Sequence, residues 1–205
     1  MPNHRAKLAP ADPDPGAADE RAMAAGVQDL LRGCGLDLDH KDLAGTPQRV
    51  ARTWRAEFLA GYSMDPASIL ADVVAGEADP DAVLLTGLGF HAMCPHHLFP
   101  YRGHAHVLYV PDRKLVGFGR ISELVDCFTK RLTLQERATH QIAQALMDHL
   151  GARGAGCVLE AEQMCLVVPN EKHGGSRVVT SALLGEVRER PDLRARLMAS
   201  VEGRG

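Results

Sequence analysis

The sequence predicts an α+β fold, and three observations carry that expectation. Short apolar runs bounded by Gly and Pro, of strand length, begin only near residue 82. Two consecutive segments with helical spacing stand between the first strands and the last. Further helical segments flank this body at both ends. Strands, two helices, then strands again is not the alternation that builds a parallel sheet.

Each element follows from its residues. Residues 1 to 16 are rich in Ala, Pro and Asp, and a disordered tail is expected there. A helical region is expected over residues 17–80. In it Val27, Leu30 and Leu31 give one apolar helical face, ended by Gly33 and Gly35. "AGTPQRVARTWRAEFLAGY" opens a second helix, with Thr46 expected as N-cap and Pro47 at the first helical position. Val50, Trp54 and Phe58 line one stripe of it, and Arg49, Arg52 and Arg55 form a basic flank.

The body spans residues 81–205. "AVLLTGL" and "HAHVLYVP" read as strands. "GRISELVDCFTKRL" places Ile121, Leu124, Val125 and Phe128 at helical spacing. "TLQERATHQIAQALMDHL" is the next helix, with Ile142 and Leu146 inward. "GCVLEAEQMCLVV" and "SRVVTSALLG" are strands again, and a last helix after Pro191 is carried by Leu193, Leu197 and Val201. There is no internal repeat.

Composition sets bounds on function. Of 205 residues, 45% are hydrophobic but only 4% aromatic, so Val, Leu and Ala must fill the core. A net charge of -3 gives no global attraction to nucleic acid or an anionic membrane. No apolar run reaches the roughly 18 residues that a membrane span needs, and the N-terminus lacks the apolar centre of a signal peptide. Five cysteines, an odd number without a dense framework, point to a reducing, cytoplasmic setting with thiols free or on metal.

The chemistry concentrates in "HAMCPHHLF", residues 91–99. Cys94 and His97 form a C-x-x-H pair, and thiolate and imidazole are ligands that zinc prefers. Cys165, at the end of a predicted strand, is the best third ligand. Cys157 lies eight positions earlier, on the same face of that strand. Against a metal stands the reading of Cys94 as a small buried hydrophobe among surface histidines. Two ligands are half a site, so spacing alone leaves both open. His96 is placed to shuttle protons beside a metal or to sit in solvent as a loop histidine. His104 and His106 read as structural or interfacial. Thr133-Leu134-Gln135-Glu136 has the form of a capping box; alternatively, Gln135 and Glu136 can pair with a purine edge.

Taken together, "MCPHHLFPYRGHAHVLYVP", "LVGFGRISELVD", "KRLTLQERATHQIA", "EAEQMCLVV" and "RVVTSALLG" resemble the ordered motifs of GTP cyclohydrolase I, and "GTPQRVARTW" resembles its upstream helix. The resemblance covers residues 20 to 203. It implies the tunnelling fold: an antiparallel sheet with two helices on one face, here with added N-terminal helices. It also implies a toroidal homo-decamer with interfacial active sites, and zinc-dependent opening of the guanine imidazole ring at C8. By motif, Cys94, His97 and Cys165 match the zinc ligands. His96 matches the proton-handling histidine, and Gln135 and Glu136 match the guanine-recognising pair. Arg49 matches a residue that reaches phosphate from a neighbouring subunit, and Arg120 stands where the family has a phosphate-binding Lys. His91 has no counterpart in the family.

Five pocket positions depart from the family pattern. Pro95 replaces a Glu, Gly119 a Ser, Glu123 an Arg, Gln163 a His and Pro169 an Arg. Gln163 can donate and accept hydrogen bonds but cannot deliver a proton near neutral pH. Glu123 turns attraction for a polyanion into repulsion, partly offset by Lys172 or Arg177 if the following loop folds inward. The expectation is a zinc hydrolase acting on a guanine nucleotide. The alternatives are a diverged paralogue that stops at the ring-opened formamidopyrimidine or takes a less phosphorylated purine, and a non-catalytic zinc-bound guanine-nucleotide-binding oligomer.

Overall fold

A computed structural model describes residues 18–76, 81–169 and 174–202. The N-terminal tail expected over residues 1–16 lies outside them. Helix α1 (Glu20–Gly33) is capped by Asp19, whose carboxylate accepts from the amides of Arg21 and Ala22. It ends at Gly33 as expected, but its inner face is set by Ala24 and Val27; Leu30 is exposed.

Helix α2 (Thr46–Thr53) begins one residue earlier than expected. Gly45, at φ 71°, is the N-cap, so Thr46 is already helical. Its hydroxyl accepts from the Arg49 guanidinium at 2.7 Å instead of capping the backbone. The long helix read from the apolar stripe also stops short. It widens into a π turn at Trp54–Phe58 and then a 3₁₀ turn at Ala60–Ser63. Gly61 explains the tightness of that turn. Its amide donates to the Lys130 carbonyl, and a Cβ there would press on the carbonyls of Cys127 and Lys130.

After the short helix α3 (Pro66–Ile69) come strands β1 (Val73–Ala75), β2 (Val83–Met93), β3 (Pro100–Val110) and β4 (Lys114–Val116). Helices α4 (Phe118–Thr129) and α5 (Gln135–Ala145) follow, then β5 (Gly154–Gln163), α6 (Met164–Val167), β6 (Val178–Gly185), α7 (Glu186–Glu189) and α8 (Pro191–Glu202). β2, β3, β5 and β6 form one antiparallel sheet in the order β2-β3-β5-β6. β1 and β4, three residues each and invisible to pattern reading, make a separate ribbon.

Alternation along the strands sorts the core into two layers. Odd residues Ala105, Val107, Tyr109, Ala155, Cys157 and Leu159 face α4 and α5, meeting Ile121, Leu124, Ile142 and Leu146. Ile69 and Leu70 of the N-terminal region belong to this same core. On the opposite face Leu108, Val110 and Val158 are covered by Val187, Leu193 and Leu197 of α7 and α8. Helices therefore lie on both faces, with the central pair on one and the C-terminal pair on part of the other. There His106 is buried, its Nδ1 3.0 Å from the Ser200 hydroxyl, a structural role as expected. No helix among the described residues is long and apolar enough to cross a membrane.

β2 changes phase partway. Val83 and Leu85 pack on the α4/α5 side, and beyond them Leu88, Phe90 and Ala92 do. The switch is a bulge in which Thr86 and Gly87 together oppose His106, with Gly87 at φ 70°.

β3 and β5 approach closely at Gly103. A Cβ there would overlap the Glu160 carbonyl oxygen of the neighbouring strand. Gly103→Ala should destabilise the protein by about 2 kcal/mol or more, as overpacking against backbone does. Equilibrium denaturation measures this, and an unchanged midpoint would show that the strands can separate without penalty.

Candidate active site

The β2–β3 hairpin tip is built by two main-chain bonds. The Cys94 amide donates to the Phe99 carbonyl at 2.9 Å, and the Leu98 amide donates to the Cys94 carbonyl at 2.9 Å. Closing this turn puts Leu98 at φ 54°, a conformation that a branched side chain adopts only under constraint. The turn orients both ends of the C-x-x-H. Cys94 is buried and His97 is exposed.

Cys165 reaches the same place from β5. That strand ends at Gln163, so Cys165 lies in α6 and not on the strand. The expected shared strand face with Cys157 is therefore absent: Cys157 is fully buried in the core, where burial raises its thiol pKa above the usual range. The register explains the convergence. Tyr101 of β3 pairs with Ala92 on one side and with Gln163 on the other. Cys94 and Cys165 each lie two residues beyond these partners. The Sγ atoms of Cys94 and Cys165 and a ring nitrogen of His97 all fall within 4.8 Å of one another. Burial, and then the neighbouring Cys94, hold the Cys165 thiol above its ordinary pKa. Two thiols and an imidazole this close are a donor set suited to a thiophilic cation such as zinc. His96 is exposed beside them, its ring edge-on to His97 with centroids 6.4 Å apart. Pro95 occupies the intervening position.

The connection from α4 to α5 delivers the next residues. The Thr133 amide donates to the Met93 carbonyl at 3.1 Å, next to Cys94. Helix α5 then starts at Gln135 with Leu134 as N-cap and no side-chain cap. The expected capping box does not form. The Thr133 hydroxyl faces the Leu134 carbonyl at 3.4 Å, and Glu136 is exposed with no side-chain partner among the described residues. Gln135 is buried and fully engaged. Its Nε2 donates to the carbonyls of Leu159 and Val178, both at 2.9 Å, and its Oε1 accepts from Gln163 Nε2 at 2.6 Å. Gln163 Oε1 in turn faces Cys165 Sγ at 3.9 Å.

The basic residues are engaged with groups of their own chain. Arg120, on the first turn of α4, donates to Glu123 at 2.8 Å and to Asp72 at 3.3 Å. Those bonds, Glu123 first, push its pKa further up. Asp72, 48 positions upstream, carried no sequence signal. A Cβ at Gly119 meets nothing within 4 Å, so a serine would fit there. Arg49 folds back on its own helix start, donating to Ala44 O at 2.8 Å and to Thr46. Arg177 lies 3.7 Å from Glu160, which His104 also approaches at 3.8 Å. Glu160 stands on the sheet face away from α4 and α5, so Arg177 does not offset Glu123 as expected. Lys172, the other candidate, lies outside the described residues, and Pro169 is exposed just past α6. His91 docks the π turn: its Nε2 is 3.1 Å from the Glu57 carbonyl and 3.3 Å from the Glu57 carboxylate, with Phe58 edge-on at 5.5 Å.

A family model of GTP cyclohydrolase I matches residues 23–202. A GTP cyclohydrolase 1 of Ralstonia nicotianae is 40% identical over 189 residues, 91% of this chain and 89% of that protein. One from Chromobacterium violaceum is 41% identical over 186 residues, covering 91% and 88%. One from Dehalococcoides mccartyi is 38% identical over 189 residues, covering 91% and 99%. With the antiparallel sheet, the two helices on one face and the Cys-His-Cys cluster already in place, these matches lead to one conclusion: the chain belongs to the GTP cyclohydrolase I family of enzymes.

Proposed function

We propose that the chain is a zinc-dependent hydrolase that opens the imidazole ring of a guanine nucleotide at C8, in the family converting GTP to 7,8-dihydroneopterin triphosphate and formate. The observation that carries this reading is the convergence of Cys94, His97 and Cys165 at the hairpin tip. Three protein donors, one of them exposed, match a site that keeps a position for substrate, whereas a structural zinc takes four. Zinc held there supplies a Lewis acid and lowers the pKa of its water. His96, exposed beside the cluster, takes and returns protons. Glu136, exposed and unpartnered among the described residues, accepts from the N–H groups of the guanine edge. Gln135 supports that edge from behind, since its amide is already bonded to Leu159, Val178 and Gln163.

Arg49, bound among the described residues to its own helix start, reaches a phosphate on a neighbouring subunit in this reading. The assembly in this reading is a homo-decamer with sites between subunits, acting in the cytoplasm without nucleic acid or membrane partners. The Arg120 geometry favours a second reading, in which a less phosphorylated purine is used or the reaction stops at the ring-opened formamidopyrimidine. An incoming phosphate meets Arg120 already paired with Glu123 and Asp72, whose carboxylates repel it. Incubating the zinc-loaded protein with GTP, GMP and guanosine and resolving products by mass decides between them. Formate with a reclosed ring supports the full reaction, simple hydration supports the second reading, and binding without turnover supports a non-catalytic oligomer.

Metal analysis of freshly isolated, reduced protein should find one zinc per chain, and a cobalt-substituted sample should show two thiolates and one imidazole. Cys165→Ser should remove most of the bound metal; full retention would place the site elsewhere.

Light scattering should find an oligomer, and Arg49→Ala should lose activity that mixing with a His96→Ala protein partly restores. An active monomer, or no restoration after subunit exchange, would show that sites are not shared.

Guanine recognition should survive while triphosphate recognition weakens. A hydrogen bond to a charged group contributes about 1.5–3 kcal/mol, and each 1.4 kcal/mol forfeited is about tenfold in affinity. Glu123→Arg should raise the preference for GTP over guanosine by about tenfold, and Glu136→Ala should weaken both alike. Calorimetric titration reads both, and a strong preference for GTP that Glu123→Arg leaves unmoved would mean that another cation holds the phosphates.

A further inference from the structure

The hydrogen bonds around Gln135 fix more than its own position. The carbonyls of Leu159 and Val178 can only accept, so the group facing them must be the Gln135 NH₂. Its Oε1 then has to point at Gln163, and only the Gln163 NH₂ can meet it. The Gln163 carbonyl is thereby turned toward Cys165 and the ligand cluster. Two main-chain carbonyls thus dictate, through two amides in series, which end of Gln163 faces the site. Rotating either amide would set like groups against each other at a buried residue.

We infer that Gln163 is a ligand-binding residue of this site: a hydrogen-bond acceptor of fixed orientation that takes an O–H or N–H donor of the guanine ligand next to the Cys94–His97–Cys165 cluster. The 3.9 Å contact from the Cys165 sulfur is weak, and a ligand oxygen or nitrogen donor displaces it. Gln163 holds such a donor without taking its proton, which leaves proton movement to His96. The inference rests on the guanine-nucleotide reading of the site, but the orienting bonds can be tested apart from it.

Two substitutions at one position test the idea. Leucine keeps the volume and leaves Gln135 Oε1 buried without a donor. Histidine can donate one ring N–H to Gln135 and turn an acceptor nitrogen to the ligand. In metal-free, full-length protein, Gln163→Leu should lower Tm by about 5 °C, and Gln163→His should recover most of that loss. In the zinc-loaded protein, calorimetry should find GTP and guanosine both bound about tenfold more weakly by Gln163→Leu, and within about threefold of the unaltered affinity by Gln163→His. An unchanged Tm for Gln163→Leu would overturn the fixed orientation. A lowered Tm with unchanged guanine affinities would make Gln163 structural only. If the unaltered, zinc-loaded protein binds no guanine ligand, the functional reading and the ligand contact fall together, while the Tm series still decides the orientation.

Discussion

The register of β3 against its two neighbours is the constraint on which the site depends. β3 separates β2 from β5, and its residue Tyr101 sets Ala92 and Gln163 at one height and on one face. Both flanking strands run the same way, so two further residues along each bring Cys94 and Cys165 past the end of β3 together. Strand spacing of about 4.8 Å would leave neighbours-but-one nearly 10 Å apart. The hairpin turn on one side and α6 on the other bend the two thiols inward to within 4.8 Å. A slip of one residue in either pairing would send one thiol to the opposite face. Main-chain geometry, not attraction between the ligands, therefore assembles the cluster.

Polarity in the surrounding shell is settled by the same backbone. Gln135 reports the positions of Leu159 and Val178 to Gln163, so the pairing of β5 with β6 is felt at the cluster. On α4 the electrostatics are closed off differently. Arg120 sits between two carboxylates, one on its own helix and one from the segment before β1. Exposed pairs of this kind contribute little to stability, but they leave the guanidinium flanked by negative charge on two sides.

The sequence was most informative where chemistry is local. The C-x-x-H at Cys94 and His97 needs only a turn, and both strand and helix periods in the body were readable from apolar spacing. The third ligand was a candidate on chemistry, but its placement just beyond a strand depended on a register that no residue pattern states. Thr133 to Glu136 spelled a capping box, yet the helix began one residue late, with Leu134 as N-cap, and the Thr133 amide is held by Met93 O. Thr46 failed as a cap for the opposite reason, Gly45 taking the left-handed position before it. The Gln135 acceptors are carbonyls and leave no trace in side-chain identity. Asp72 could be matched to Arg120 only in three dimensions.

The bulge in β2 holds a reserve of length. Because Thr86 and Gly87 share one partner, the strand is one residue longer than its pairing with β3 requires. Loss of either would let the remaining one face His106 directly, and every pair from Leu88 to Met93 would stay as it is. Shortening within the lower half of β2 can be absorbed the same way, as the surplus residue is drawn down. Beyond Leu88 there is no surplus, and any change of length passes straight to the turn that carries Cys94 and His97. The hairpin thus divides into a stretch where its gene can drift in length and a tip where it cannot.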